Sequence, residues 1–108
     1  MIRPRSLTLA ALAVALGLAG ASAWAAPPTA AMTKAGCLVC HAEDKPALGP
    51  SFKEIAARNK GKDAATVLTR RVRAGSTGLY GKVPMPATGP DRISDADLAA
   101  VIDHILKR

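Results

Sequence analysis

Aromatic side chains are nearly missing from this chain of 108 residues: one tryptophan, one tyrosine and one phenylalanine make up 3% of it. Cysteine is as scarce, with two residues, and the 8 acidic side chains are outnumbered by 15 lysines and arginines. Each shortage excludes something. Two cysteines cannot form the framework of a disulfide-rich scaffold. So few aromatics leave a small domain short of core, and such a domain needs a staple, a metal or a cofactor. No strand-like run flanks the cysteines, which removes the βαβ surroundings of a thioredoxin-type redox pair. A second Cys/His pair at finger spacing is also missing, so a zinc site lacks its ligands. The glycines of Gly75-Ser76-Thr77-Gly78-Leu79-Tyr80-Gly81-Lys82 follow neither the Gly-x-Gly-x-x-Gly nor the Gly-Lys-Ser/Thr spacing of a phosphate loop.

The beginning of the chain reads as an address. Arg3 and Arg5 precede an apolar run from Leu7 to about Gly20, followed by the small-x-small patterns Ala21-Ser22-Ala23 and Ala23-Trp24-Ala25. Cleavage after Ala25 keeps proline away from the position following the cut. The division expected is therefore a signal peptide over 1–25 and a single domain over 26–108. The alternative, an uncleaved membrane anchor, is weakened by Gly17, Gly20 and Ser22 in the distal half of the run. The two arginines of the signal leave thirteen basic residues against eight acidic ones in the domain. These are scattered and have no aromatics between them, which argues against nucleic acid. Lys34, Lys45, Lys53 and Lys82 instead suit the docking of an acidic protein partner.

The chemistry centres on Cys37-Leu38-Val39-Cys40-His41. C-x-x-C-H is a haem-attachment sequence. Two intervening residues let one helical turn present both sulfurs to one porphyrin edge for thioether bonds, and the next residue is a histidine suited to iron. An exported location fits, because the thiols are then consumed as thioethers and no disulfide is expected. A covalently held porphyrin would supply the apolar body that the side chains do not.

Helical signals surround the motif. Ala30-Ala31-Met32-Thr33-Lys34-Ala35 is helix-prone, with Thr29 as a candidate N-cap, and is expected to run into the haem motif; Met32 reads as a packing residue. The Gly49-Pro50 turn either offers a carbonyl to the free ring N–H of His41 or is an ordinary turn. Ser51-Phe52-Lys53-Glu54 matches a capping box, opening a helix to about Lys60 that Gly61 stops, with Phe52 and Ile55 inward. Asp63 is expected to cap a helix with Ala64, Val67, Leu68 and Val72 on one face and Arg70, Arg71 and Arg73 on the others, ending at Gly75. Val83-Pro84-Met85-Pro86 holds a methionine between two prolines, which stiffen the backbone and remove N–H donors. A thioether held that way is suited to the open face of a haem iron, where it raises the reduction potential. Ser94-Asp95-Ala96-Asp97 caps a last helix whose stripe is Leu98, Val101, Ile102 and Ile105. His104, beside that stripe, is the rival distal ligand and reads better as a packing or surface residue.

With these residues in place the domain resembles the small bacterial class I cytochromes c, in particular the cytochrome c-551 (cytochrome c8) type. The likeness runs through Lys34-Ala35-Gly36-Cys37, Gly49-Pro50-Ser51-Phe52, Arg71-Val72-Arg73-Ala74-Gly75-Ser76, Gly78-Leu79-Tyr80-Gly81 and Val83-Pro84-Met85-Pro86. It implies an all-α fold of four to five short helices round one haem c bound through Cys37 and Cys40, the first and last helices crossing near Gly36. It implies His41 and Met85 as axial ligands, the Pro50 carbonyl as partner of the His41 ring N–H, and Arg71 and Tyr80 as contacts of a haem propionate. Tyr80 stands where the family commonly has tryptophan. Met32 and His104 replace aromatics between the terminal helices, so a looser interface is expected there, and the asparagine often found after the ligand loop is missing.

The reading is a monomeric periplasmic carrier that passes one electron at a time between redox proteins of a respiratory chain, with no catalytic residue and no membrane attachment after cleavage. The alternatives are a haem enzyme reacting with peroxide or a small gas at a labile site, and a haem subunit of a larger redox complex. No His, Asp or Glu lies beside Met85 in the sequence to serve the first of these.

Overall fold

The computed structural model describes residues 27–108, so the expected export signal over 1–25 lies outside the described residues. Among the described residues five helical segments follow one another: α1 (Pro28–Ala35), α2 (Cys37–Cys40), α3 (Phe52–Arg58), α4 (Ala64–Ala74) and α5 (Asp95–Leu106). Among the described residues there is no strand, only an isolated antiparallel bridge between Ser76 and Met85. The fold is all-α.

α5 is the element against which α1, α3 and α4 pack. Its stripe of Leu98, Val101, Ile102 and Ile105 is buried throughout, as its periodicity predicts. Ser94 Oγ accepts the Asp97 N–H at 3.1 Å, and Asp95 and Asp97 place negative charge at the positive end of the helix dipole. Met32, Phe52 and Leu98 are the most completely buried large side chains. At 1% exposure, Met32 closes the α1–α5 contact rather than loosening it; its flexible thioether fills the room that a ring would otherwise take. Ile93, just ahead of α5, is also core.

Several local expectations are corrected. α1 opens at Pro28, with Pro27 as N-cap: a proline at the first helical position gives up an N–H that had no partner there. Thr29 is inside the helix, where its carbonyl accepts the Thr33 hydroxyl at 3.0 Å. α1 does not run into the motif, because Gly36 takes φ +83° and ends it with a left-handed cap whose N–H reaches Met32 O and Thr33 O. A Cβ at Gly36 would meet the Arg92 guanidinium at 3.0 Å, so the missing side chain serves the left-handed cap and leaves room for Arg92.

α3 stops at Arg58, earlier than Gly61 would stop it, and Asn59 is the reason. Asn59 Nδ2 donates to Ile55 O at 2.8 Å, supplying in side-chain form the bond the next turn would have made. Ser51 Oγ accepts the Glu54 N–H at 3.1 Å, but Glu54 pairs with Arg58 at 2.9 Å and leaves the return half of the capping box unmade. Asp63 occupies the N-cap position of α4 without a side-chain cap bond. Of the three α4 arginines Arg70 is exposed, while Arg71 and Arg73 are half-buried and turned toward partners. Truncating Met32 to alanine should cost about 2–5 kcal/mol, read as a lower urea midpoint of the haem-loaded protein with unchanged slope.

Candidate haem site

Between α2, α3, α4 and α5 lies a cleft of about 1120 Å³, its open mouth included. Cys37, Cys40, His41, Pro50, Arg71, Tyr80 and Met85, all expected site residues, line it together. Most of the remaining lining is apolar, including Leu68, Val72 and the inward faces of Leu98 and Ile102. Those α5 side chains thus serve the core and the wall at once.

The single turn of α2 puts Cys37 and Cys40 three apart on one side, both as free, half-buried thiols. Burial pushes the Cys37 thiol above its ordinary value, partly offset by a backbone hydrogen bond and the Arg92 guanidinium. Among the described residues no three His, Cys, Asp or Glu side chains cluster, so the pair has no ligand set for tetrahedral zinc. Helical hydrogen bonding continues into His41, whose N–H reaches Cys37 O at 3.0 Å, and then the backbone turns extended.

The His41 ring is held on three sides. Its Nδ1 lies 2.7 Å from Pro50 O. A carbonyl can only accept, so Nδ1 carries the proton and Nε2 keeps the lone pair of the neutral ring. Phe52 stacks against the imidazole with centroids 5.4 Å apart and planes 30° from parallel. Gly49 leaves the room for it: a Cβ there would sit 2.7 Å from His41 Cε1 and 3.0 Å from Nδ1. The loop is fixed from behind, since Gly49 N–H donates to Cys40 O at 2.8 Å and Phe52 N–H to Ala42 O at 2.9 Å.

Met85 arrives on a strap, residues 75–94, joining α4 to α5. Met85 N–H donates to Ser76 O at 2.8 Å, and Ser76 N–H returns to Met85 O at 3.1 Å. Gly75, at φ +78°, lies so close that a Cβ would stand 2.8 Å from Met85 O. Past the methionine, Thr88 N–H donates to Val72 O at 2.8 Å and Thr88 is buried. The prolines beside Met85 spend no donors where none are needed: the only strap amide paired at the bridge on that side is that of Met85 itself.

Sequence reasoning missed two residues here. Asn59 joins the polar end of the cleft: Arg71 Nη1 donates to its Oδ1 at 3.2 Å and its Nδ2 donates to Tyr80 OH at 3.1 Å, while Arg58 covers the Tyr80 ring at 4.8 Å. As acceptor in that contact, the Tyr80 hydroxyl keeps its own proton to donate. An asparagine after a helix reads as an ordinary cap, so nothing local signals this. Arg73 is the other, through contacts with residues far along the chain. His104 does not line the cleft; its Nε2 is 2.5 Å from Arg108 Nη2 and accepts from it. Lys34, Lys45, Lys53 and Lys82 are all exposed.

The residues present fit a covalently held porphyrin: two thiols and an oriented imidazole at one edge, a thioether on a fixed strap, a dry wall, and cationic and hydroxyl donors at the polar end. The comparisons agree. The family described as "Cytochrome C oxidase, cbb3-type, subunit III" matches residues 25–105. Cytochrome c2 of Rubrivivax gelatinosus is 55% identical over 83 residues, 76% of this chain and 98% of that one. Cytochrome c-551 of Pseudomonas aeruginosa is 34% identical over 87 residues, 80% and 81% of the two chains. The crystal structure of Nitrosomonas europaea cytochrome c552 superposes with a TM-score of 0.66 at 38% identity, covering 73% of this chain and 96% of that one. This chain belongs to the small class I cytochromes c, electron-transport proteins that carry a covalently bound haem c.

Proposed function

We propose that this protein is a periplasmic one-electron carrier working between redox proteins of a respiratory chain, with His41 and Met85 as the axial ligands of its iron and Cys37 and Cys40 as the thioether residues. The haem supplies the electron-accepting and electron-donating centre; the chain fixes its surroundings. One observation carries the reading. His41 and Met85, far apart in sequence, line one cleft with both cysteines, and the Pro50 carbonyl leaves His41 Nε2 as the nitrogen available to a metal.

Each residue has a definite task. Pro50 O polarises the His41 N–H and makes the imidazole a stronger donor. The strap holds a soft thioether in place, which favours the ferrous state. Arg71 and the Tyr80 hydroxyl, tied together by Asn59, offer donors to a carboxylate at the polar end. The apolar wall would keep solvent from a bound haem, leaving the ligands and these donors to tune its charge. The described residues lining the cleft include no Asp or Glu, and no His besides His41, to act as acid or base on a bound small molecule, which supports a carrier over an enzyme. Exposed Lys34, Lys45, Lys53 and Lys82 suit acidic partners. Among the described residues no helix is long and apolar enough to cross a membrane.

A second reading, a haem subunit held in a larger complex, is favoured by the description of the matching family. Gel filtration of the protein from its native extract separates the two, since a carrier elutes at its own size.

Replacing Met85 with alanine should abolish the thioether–iron charge-transfer band at the red edge of the ferric spectrum and lower the midpoint potential, measured by optical titration. A variant with the band and the midpoint of the parent would end the ligand assignment. Gly49→Ala should push the imidazole off its partner carbonyl. The expected result is a high-spin ferric component and a stability loss of about 1–3 kcal/mol by denaturant titration.

A further inference from the structure

Arg73, in the last turn of α4, is half-buried and extends its guanidinium across the base of the Met85 strap. Nη1 donates to Thr88 O at 3.2 Å and to Ile93 O at 2.9 Å, and Nη2 donates to Asp95 Oδ1 at 2.6 Å. All three acceptors lie between the ligand loop and the first residue of α5. Two are backbone carbonyls of a segment that forms no helix or sheet, so a side chain must satisfy them from outside. The contacts span fifteen to twenty-two positions of sequence, the whole width of the strap. Above this base the Thr88–Val72 bond ties the strap to the end of α4, and the Ser76–Met85 pair ties the two arms of the strap to each other.

We propose that Arg73 is a positioning residue for Met85: its guanidinium closes the base of the strap and sets how often the methionine leaves the iron. The inference rests on Met85 being the sixth ligand. Arginine suits the task because its planar fork serves three acceptors at once, where a lysine ammonium on a flexible stem would not hold the same geometry. Asp95 fixes the fork and is itself 90% exposed, so the two backbone carbonyls, not the ion pair, are the main hold.

The test uses imidazole, which binds the ferric haem-loaded protein only when the strap opens; its apparent affinity therefore scales with the open fraction. Arg73→Gln should raise that affinity about tenfold, the worth of a lost charge-assisted hydrogen bond. Asp95→Asn, which removes only the exposed partner and keeps the fold, should raise it ~twofold. Arg108→Ala cuts the 2.6 Å pair with Glu43, away from the strap, and should leave imidazole affinity at the parental value. Met85→Ala marks the fully open limit. Parental affinity in Arg73→Gln beside an open Met85→Ala overturns the role of Arg73 while leaving the ligand in place. Equal rises in Arg73→Gln and Arg108→Ala overturn it too, as general loosening. Parental affinity in Met85→Ala itself removes the ligand assignment on which the inference stands.

Discussion

One hydrogen bond, His41 Nδ1–H to Pro50 O at 2.7 Å, sets the rest of the site. It fixes the tautomer, and so which nitrogen faces the cleft. It also fixes the ring plane, because Phe52 lies on one side and Gly49 leaves space beside it. The bond needs the 42–51 loop in one shape, and that shape is held by amides returning to Cys40 O and Ala42 O. Phe52 links this loop to the interior: it is both the stacking partner of the imidazole and one of the three most buried large side chains. Orientation of the His41 imidazole and packing of the core are therefore one constraint, and a change in either is felt in the other.

The opposite wall is built differently. The proximal side uses a short covalent spacing and a tight loop, whereas the Met85 strap is tied down at intervals along its length. The Thr88–Val72 bond and the Arg73 fork attach it to the end of α4, and the Ser76–Met85 pair and the close approach at Gly75 tie its two arms to each other. None is strong alone. Together they let a segment without regular secondary structure present one side chain reproducibly, which is the condition for a defined potential. At the polar end Asn59 takes the same role for Arg71 and Tyr80, using every polar atom of its amide.

An arrangement of this kind explains how so few aromatics suffice. The chain places its apolar side chains round a space rather than packing them to fill it, and α5 contributes its stripe to both.

How far this was legible from residues alone varies with the range of the interaction. The C-x-x-C-H spacing, the Ser51 and Ser94 caps, the α5 stripe and the prolines flanking Met85 are local patterns, fixed by one turn of backbone geometry, and the structure follows them. The break of α1 at Gly36 and the early end of α3 are not fixed locally, because a glycine or an asparagine permits several outcomes, and its neighbours choose among them. Arg73 and Asn59 had no local signature. Their partners stand up to twenty-two positions away, and only the folded path of the chain brings donor and acceptor within hydrogen-bond range. Sequence by itself determined which groups can bind the cofactor, since bonding to iron and to vinyl carbons is a property of residue type and spacing. Tertiary structure decided how those groups are held, because orientation comes from contacts between segments that the linear order keeps apart.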